Sequence, residues 1–308
     1  MTSVPVSHSA RARPRSHIPW RGVVAAAWYQ HRTSLLVTSS VVVALSVATV
    51  LIGRLAGRDL DSQVVQLMLL LVDLYALSVG VFQAAPMIAR EHEQQTDLLA
   101  WSQDVSPTRW LAGKILLLGP VAVVSALLLG ASAQDLVERT PTRDFAFNVP
   151  YFDASPLLQV GHTVFAFALG VTLSVLVRRS VLAMSLTFVS FLAVRILIAF
   201  TARPTFLPPV HQVRPYGQGL GDPTGALTVG SGYLTGSGRP DDLFVDCPAG
   251  EDIDGCLRRQ DVVGVYLDYQ PAERLGTFHL IETGVFLGLA LVLATTMWSA
   301  LRRHTARS

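Results

Sequence analysis

Six long apolar runs, separated by shorter polar segments, dominate the pattern of hydrophobic and polar positions along the chain. Each run holds roughly 18 or more residues with few or no charges, the length that a helix needs to cross a hydrocarbon layer of about 30 Å. The predicted spans are Ser34–Gly53, Val64–Ile88, Leu111–Ala133, Leu157–Val177, Ser180–Phe200 and His279–Leu301. Pro86 and Pro120 interrupt the second and third runs, which membrane helices tolerate. The pattern predicts an all-α integral membrane protein with six transmembrane helices.

Charge content and placement support this class and predict an orientation. Charged residues make up 15% of the chain, against about 25% in soluble domains. Thirteen basic and 4 acidic residues lie in one set of segments: 1–33, 89–110 with Lys114, 178–179 and 302–308. Ten basic and 16 acidic residues lie in the other set: 54–63, 134–156 and 201–278. Because basic loops stay in the cytoplasm, we expect both termini inside the cell (N-in, C-in).

The amino-terminal segment 1–33 is expected to be a cytoplasmic tail followed by an interfacial helix. In the stretch "IPWRGVVAAAWYQHR", Trp20, Val24, Ala27 and Trp28 share one helical face, with polar residues off it. Such an amphipathic helix lies in the inner membrane interface. The alternative is an early start of the first span.

Segment 201–278 lies between the fifth and sixth spans and is the largest soluble part, expected outside the cell. Gly and Pro residues divide it into short β-type runs. It is long enough for a small cap but short for an independent catalytic core. Its two cysteines, Cys247 and Cys256, predict one disulfide in an oxidising compartment; the alternative is two free thiols. Segment 34–200 holds spans one to five, and 279–308 holds the sixth span and a cytoplasmic tail.

The polar segment 89–110 between the second and third spans begins like a zinc protease helix. His92 and Glu93 start an H-E-x-x-H pattern, but Thr96 stands where the second His must be. The phosphate-binding pattern G-x-x-x-x-G-K-[ST] is also missing, because Lys114, the one lysine, is followed by Ile115. We therefore expect no enzyme activity, no metal site and no cofactor in this chain.

Apart from Lys114, which lies at the start of the third span and is counted with the adjacent loop, three charged residues fall within the predicted spans: Asp73, Arg195 and Glu282. Charges at that depth are candidates for function. Arg195 and Glu282 lie at similar depths and could form an ion pair, or Arg195 could snorkel outward. A proton-coupled carrier would use Asp73 as its titrating group.

The same segment, 89–110, also fits a stiff cytoplasmic elbow. "REHEQQTDLLAW" can continue the second helix beyond the lipid, and Ser106-Pro107 fits an N-cap followed by Pro at the first helical position. We expect Glu91 and Glu93 to project from this elbow toward a soluble partner. A rigid elbow can convert motion of that partner into rotation of two spans.

Two motifs resemble a known family. The first motif has the form "P-L-I-A-R-E-x-E-Q-x-T-x-x-L-A-W-x-Q-x-V-x-x-x-R-W-L-x-x-K". Met87 stands at its Leu position, and the other positions are matched by Pro86, Ile88, Ala89, Arg90, Glu91, Glu93, Gln94, Thr96, Leu99, Ala100, Trp101, Gln103, Val105, Arg109, Trp110, Leu111 and Lys114. The second motif has the form "Y-Q-P-x-x-R-x-W-x-F-Q-x-I-E". It is matched by Tyr269, Gln270, Pro271, Arg274, Phe278, Ile281 and Glu282, whereas Gly276 and His279 depart from it. Both motifs resemble the permease subunits of ABC transporters, of the six-span ABC-2-type exporter class and an actinobacterial group within it.

The resemblance implies that segment 89–110 couples the chain to a separate nucleotide-binding subunit. The coupling candidates are Glu91, Glu93, Gln94, Thr96, Arg109 and Lys114. It further implies ATP and Mg²⁺ on that ABC ATPase partner, a second permease copy or paralogue as dimer partner, lipid around the spans, and no nucleic acid. We expect a multi-pass protein of a bacterial plasma membrane that exports an unidentified substrate. The alternatives are an ion-coupled carrier using Asp73 and a non-transporting membrane anchor or sensor.

Overall fold

The computed structural model describes residues 19–94, 107–141, 145–215, 224–236, 240–241 and 253–305. The described residues include six helices long and apolar enough to cross a membrane: Trp20–Ala56, Ser62–Glu91, Thr108–Arg139, Pro156–Val177, Ser180–Thr205 and Ala272–Arg302. Each predicted span lies inside one of these helices, so the six-span prediction is confirmed. The side of the membrane on which the termini lie stays a prediction.

Helix α1 (Trp20–Ala56) is continuous, so the expected separate interfacial helix is not formed. The sequence has neither Gly nor Pro from Val23 to Ile52 that could end it. Val23 and Ala27 are buried, whereas Trp20 and Trp28 are 46% and 42% exposed. Val23 lies against Gly113 and Gly53 against Leu136, so α1 runs parallel to α4 (Pro107–Arg139). Packing on α4 therefore fixes the direction of the amino-terminal segment.

The second span consists of α2 (Ser62–Ser78), a π-helical turn (Val79–Ala84) and α3 (Pro86–Glu93). Pro86 has no N–H to donate to the preceding turn, and the wider π turn accommodates that loss. Ser174 of the fourth span accepts hydrogen bonds from the backbone N–H groups of Ile88 (3.0 Å) and Ala89 (2.8 Å). A side chain of a neighbouring span thus accepts hydrogen bonds from backbone N–H groups that follow the break in the helix.

Helix α5 (Pro156–Val177) is the most buried span and packs against α2, α4, α6 (Ser180–Leu197) and α8 (Leu275–Thr305). Its approach to the π turn depends on two glycines. A Cβ on Gly170 would lie 2.5 Å from the carbonyl oxygen of Gly80, and a Cβ on Gly80 would lie 2.9 Å from that of Ala166. An added Cβ would therefore meet backbone atoms, which cannot move aside as the end of a flexible side chain can.

Gly170→Ala is therefore expected to destabilise the bundle, because overpacking costs about 1–3 kcal/mol. The matched control is Gly119→Ala in α4, where an added Cβ meets nothing within 4 Å and the higher helix propensity of Ala favours the change. Thermal unfolding of both variants in detergent measures the difference. A Gly170→Ala protein as stable as the Gly119→Ala protein would contradict the close backbone approach.

Segment 201–278 contains an antiparallel sheet, so the protein is mostly helical and the all-α expectation is wrong for this part. The strands are β1 (Val210–Pro215), β2 (Leu227–Thr235), β3 (Pro240–Asp241) and β4 (Val262–Gln270), in the spatial order β1-β4-β2-β3. The first five residues of β4 alternate between buried and less buried positions, as in a strand with one covered face. Helix α7 (Ile253–Arg259) precedes β4.

The cysteines lie next to this sheet. Cys256 in α7 is disulfide-bonded and 3% exposed. Cys247, the other cysteine of the chain, lies outside the described residues.

Candidate functional site

At one end of the bundle, Glu91 joins three spans. Its carboxylate accepts hydrogen bonds from Gln30 Nε2 of α1 (2.9 Å) and Trp110 Nε1 of α4 (3.0 Å), and forms an ion pair with Lys114 Nζ of α4. Lys114 also donates to the carbonyl oxygen of Met87 at 3.3 Å. We call Glu91, Lys114, Gln30 and Trp110 the Glu91 cluster.

The expectation that Glu91 projects toward a partner is wrong. Glu91 is 8% exposed and Lys114 is 0% exposed. A buried ammonium group must be paired, and the sole described carboxylate bonded to it is that of Glu91. Packing of α1 and α4 around the end of α3 therefore turns Glu91 inward, where it fixes the relative positions of these helices.

Glu93 is exposed but holds the start of α6. It accepts hydrogen bonds from the backbone N–H of Ser180 (3.0 Å) and from the Ser180 hydroxyl (2.5 Å). These bonds lower the pKa of the Glu93 carboxyl below its usual value of 4.5. Since the first N–H groups of a helix have no partner inside the helix, Glu93 ties the second span to the fifth.

Because its folded-state pKa lies below the unfolded value, Glu93 adds stability above about pH 4.5, and that contribution is lost as pH falls through the folded pKa. Glu93→Gln is expected to be less stable than the wild type at about pH 6, and the difference in stability is expected to be smaller at about pH 3, where protonation of Glu93 removes part of its contribution. Thermal unfolding of both proteins at the two pH values checks this. A gap of the same size at both would contradict the capping role.

The other coupling candidates lie around these two carboxylates. Gln94 is exposed in the turn after α3. Arg109 is half-buried, with its guanidinium 5.0 Å from the centre of the Trp20 ring. Thr96 lies outside the described residues. Helix α4 starts at Pro107, as the Pro at the first helical position predicts.

At the opposite end, next to the sheet, five charged residues form a continuous chain of ion pairs, which we call the charge network. Arg195 donates to both oxygens of Asp73 at 2.7 Å and pairs with Asp153. Arg203 lies 3.5 Å from Asp153 and binds Glu282 through two bonds of 2.8 and 2.9 Å. Gln159 also donates to Asp73 (3.5 Å) and to the carbonyl oxygen of Asp153 (3.0 Å).

The expected Arg195–Glu282 pair is wrong, and so is outward snorkelling of Arg195. Arg195 faces Asp73 and Asp153, whereas Glu282 is held by Arg203. Asp73 is consequently the end of a chain of ion pairs rather than an isolated carboxylate. The bidentate geometry of the Arg203–Glu282 contact is the strong form of such pairs.

Four buried polar residues at this end are not predicted as site residues from the sequence: Asp153, Arg203, Gln159 and His162. Asp153 and Arg203 were assigned to outer loops, but both are buried in short helical turns, Phe152–Ala154 before α5 and Arg203–Thr205 after α6. One available signal was the position of each charge directly beside an apolar run. The Arg203 guanidinium also lies 3.7 Å from the centre of the Phe152 ring, a cation–π contact.

The second motif joins the sheet to the sixth span. Gln270 is buried, donates to the carbonyl oxygen of Leu207 at 2.6 Å, and accepts from Arg274 at 2.9 Å. Arg274 also donates to the carbonyl oxygen of Pro208 at 2.8 Å. His279, which departs from the motif, bonds to the carbonyl oxygen of Phe152 at 3.0 Å through Nε2.

Six apolar helices with ion pairs buried between them define a multi-pass membrane protein. Residues 53–203 match the family described as ABC-2 membrane transporter related. The match confirms the resemblance to ABC-2-type permease subunits and covers the region from the end of the first span to the end of the fifth. No curated protein and no solved structure matches the chain.

Proposed function

We propose that this chain is the membrane-spanning subunit of an ATP-driven exporter, with ATP and Mg²⁺ bound and hydrolysed by a separate ABC ATPase subunit. The observation that carries the proposal is the family match over residues 53–203. That region includes Glu91, Trp110 and Lys114 of the Glu91 cluster and four of the five residues of the charge network, all but Glu282. Two copies, or this chain and a paralogue, would enclose the path in a bacterial plasma membrane, and the substrate would leave outward.

The contacts at the end of α3 support a coupling role. Glu91 connects α3 to α1 and α4, and Glu93 connects it to α6. Arg90 and Gln94 are exposed beside these contacts. A partner that pushes on this exposed surface would move four spans together, because the carboxylates hold the helix ends in fixed positions. Gln94 and Arg90, rather than Glu91, would then contact the ATPase.

Site-specific crosslinking tests where the partner binds. A photo-crosslinking amino acid at Gln94 is expected to capture a P-loop ATPase in intact cells. The matched control is Val213, which is 50% exposed on the sheet at the opposite end and is expected to capture none. Crosslinking from Val213 but not from Gln94 would place the partner at the wrong end and contradict the coupling role.

A further inference from the structure

Three buried side chains meet where α5, α8 and the turn before α5 come together. Asp153, His162 and Glu282 each offer one ligand atom, and these atoms all lie within 4.8 Å of one another. All three residues are at most 2% exposed. They are separated by up to 129 positions in the sequence, which is why the chain, read as a sequence, indicates no metal site.

His162 has no hydrogen-bond partner at either ring nitrogen among the described residues, although it is fully buried. Its Nε2 lies 3.9 Å from Glu282 Oε1, beyond the distance of a hydrogen bond. The His162 ring makes a T-shaped contact with the Phe286 ring, with ring centres 4.5 Å apart. A buried polar atom without a partner is costly, so the imidazole offers a vacant ligand atom close to a carboxylate.

The surrounding charge favours a cation. The charge network holds three carboxylates, those of Asp73, Asp153 and Glu282, and two guanidinium groups, those of Arg195 and Arg203. With all five ionised, the network carries one net negative charge. Arg203 occupies one lone pair on each oxygen of Glu282, but each carboxylate oxygen has two, so Glu282 can bind Arg203 and still coordinate an ion.

We propose that Asp153, His162 and Glu282 bind a divalent metal ion such as Zn²⁺. One imidazole with two carboxylates and an open fourth position is a ligand set that zinc accepts. Calcium and magnesium fit less well, because they select oxygen ligands. Ligand atoms about 2.0–2.2 Å from a tetrahedral ion lie about 3.4 Å apart, so the 3.9 Å separation of His162 and Glu282 must shorten by about half an ångström.

The bound ion would join α5 and α8 to the turn that precedes α5, at the end of the bundle next to the sheet. Its position is distant from the Glu91 cluster and Gln94, which lie at the other end. Metal binding and ATPase docking can therefore be tested separately. A negative result for one of these two properties does not contradict the other.

The test is metal binding by the purified full-length chain in detergent. Zn²⁺ affinity is measured by competition with a chromophoric chelator, and Co²⁺ is added as a spectroscopic probe whose visible absorption reports tetrahedral coordination. His162→Ala and Glu282→Gln are each expected to weaken Zn²⁺ binding more than about tenfold, since loss of outer-shell partners alone costs 10–100-fold. The matched control is His279→Gln. His279 is half-buried on α8, the helix that carries Glu282, and Gln is the residue of the family motif at this position.

The expected result is one bound ion in the wild type and in His279→Gln, with the Co²⁺ spectrum absent in His162→Ala. Elution volume and thermal unfolding of each variant establish that it is folded. No Zn²⁺ or Co²⁺ binding by the wild type overturns the proposal. So does binding that survives His162→Ala unchanged, or that is lost equally in His279→Gln.

Discussion

Glu91→Ala is expected to lower the free energy of unfolding by about 3–5 kcal/mol, the usual cost of removing one partner from a buried ion pair. The variant leaves the Lys114 ammonium, which is 0% exposed, without its carboxylate. It also removes the acceptor for Gln30 and Trp110. Thermal or denaturant unfolding of the detergent-solubilised protein measures the loss.

The double variant Glu91→Leu/Lys114→Met is expected to recover most of that stability, because an apolar pair of similar volume replaces a buried ion pair at little net cost. Arg90→Ala, at an exposed neighbouring position, serves as the surface control and should change stability by less than about 0.5 kcal/mol. A Glu91→Ala protein as stable as Arg90→Ala would show that Glu91 and Lys114 are not paired inside the bundle.

Arg203→Met is expected to have an effect of the same size, about 3–5 kcal/mol. It leaves Glu282, which is 2% exposed, without the guanidinium that binds it, and it removes the Arg203 contact of buried Asp153, which keeps its pair with Arg195. Arg203→Lys should recover only part of the loss, since an ammonium group cannot reproduce the two parallel bonds to Glu282 or the contact with the Phe152 ring. Unfolding measurements on both variants check the order.

Arg258→Met is the control for Arg203, because Arg258 is exposed in α7. It should be close to the wild type. Equal stability of Arg203→Met and Arg258→Met would contradict the charge network. Full recovery in Arg203→Lys would show that the charge alone is needed and that the bidentate geometry is not.

The positions of the spans follow from hydrophobicity alone, because the bilayer thickness sets the length of each helix. The start of α4 at Pro107 follows from local turn chemistry. Which helices touch does not follow. Glu282 pairs with Arg203, which is 79 positions away, and not with Arg195, because contacts between helices depend on how the spans pack and not on depth in the membrane.

The burial of Glu91 could not be read from its segment for a similar reason. Its sequence neighbours are polar, so the local pattern predicts an exposed residue, yet Lys114 and Gln30 arrive from helices 23 and 61 positions away. The β-type runs of segment 201–278 were visible as short strands between turns, but their pairing into one sheet was not. The continuity of α1 was predictable from the lack of Gly and Pro after Val23.

Affinity purification of the tagged, detergent-solubilised chain, followed by mass-spectrometric identification and an ATPase assay of the eluate, tests most directly whether this protein is the permease of an ATP-driven transporter. We predict that a P-loop ATPase copurifies and that the eluate hydrolyses ATP. Substitution of exposed Gln94 and Arg90 should release the ATPase while the permease stays folded. Recovery of the chain alone from several mild detergents, without ATPase activity, would contradict the permease assignment and favour a carrier or a membrane anchor.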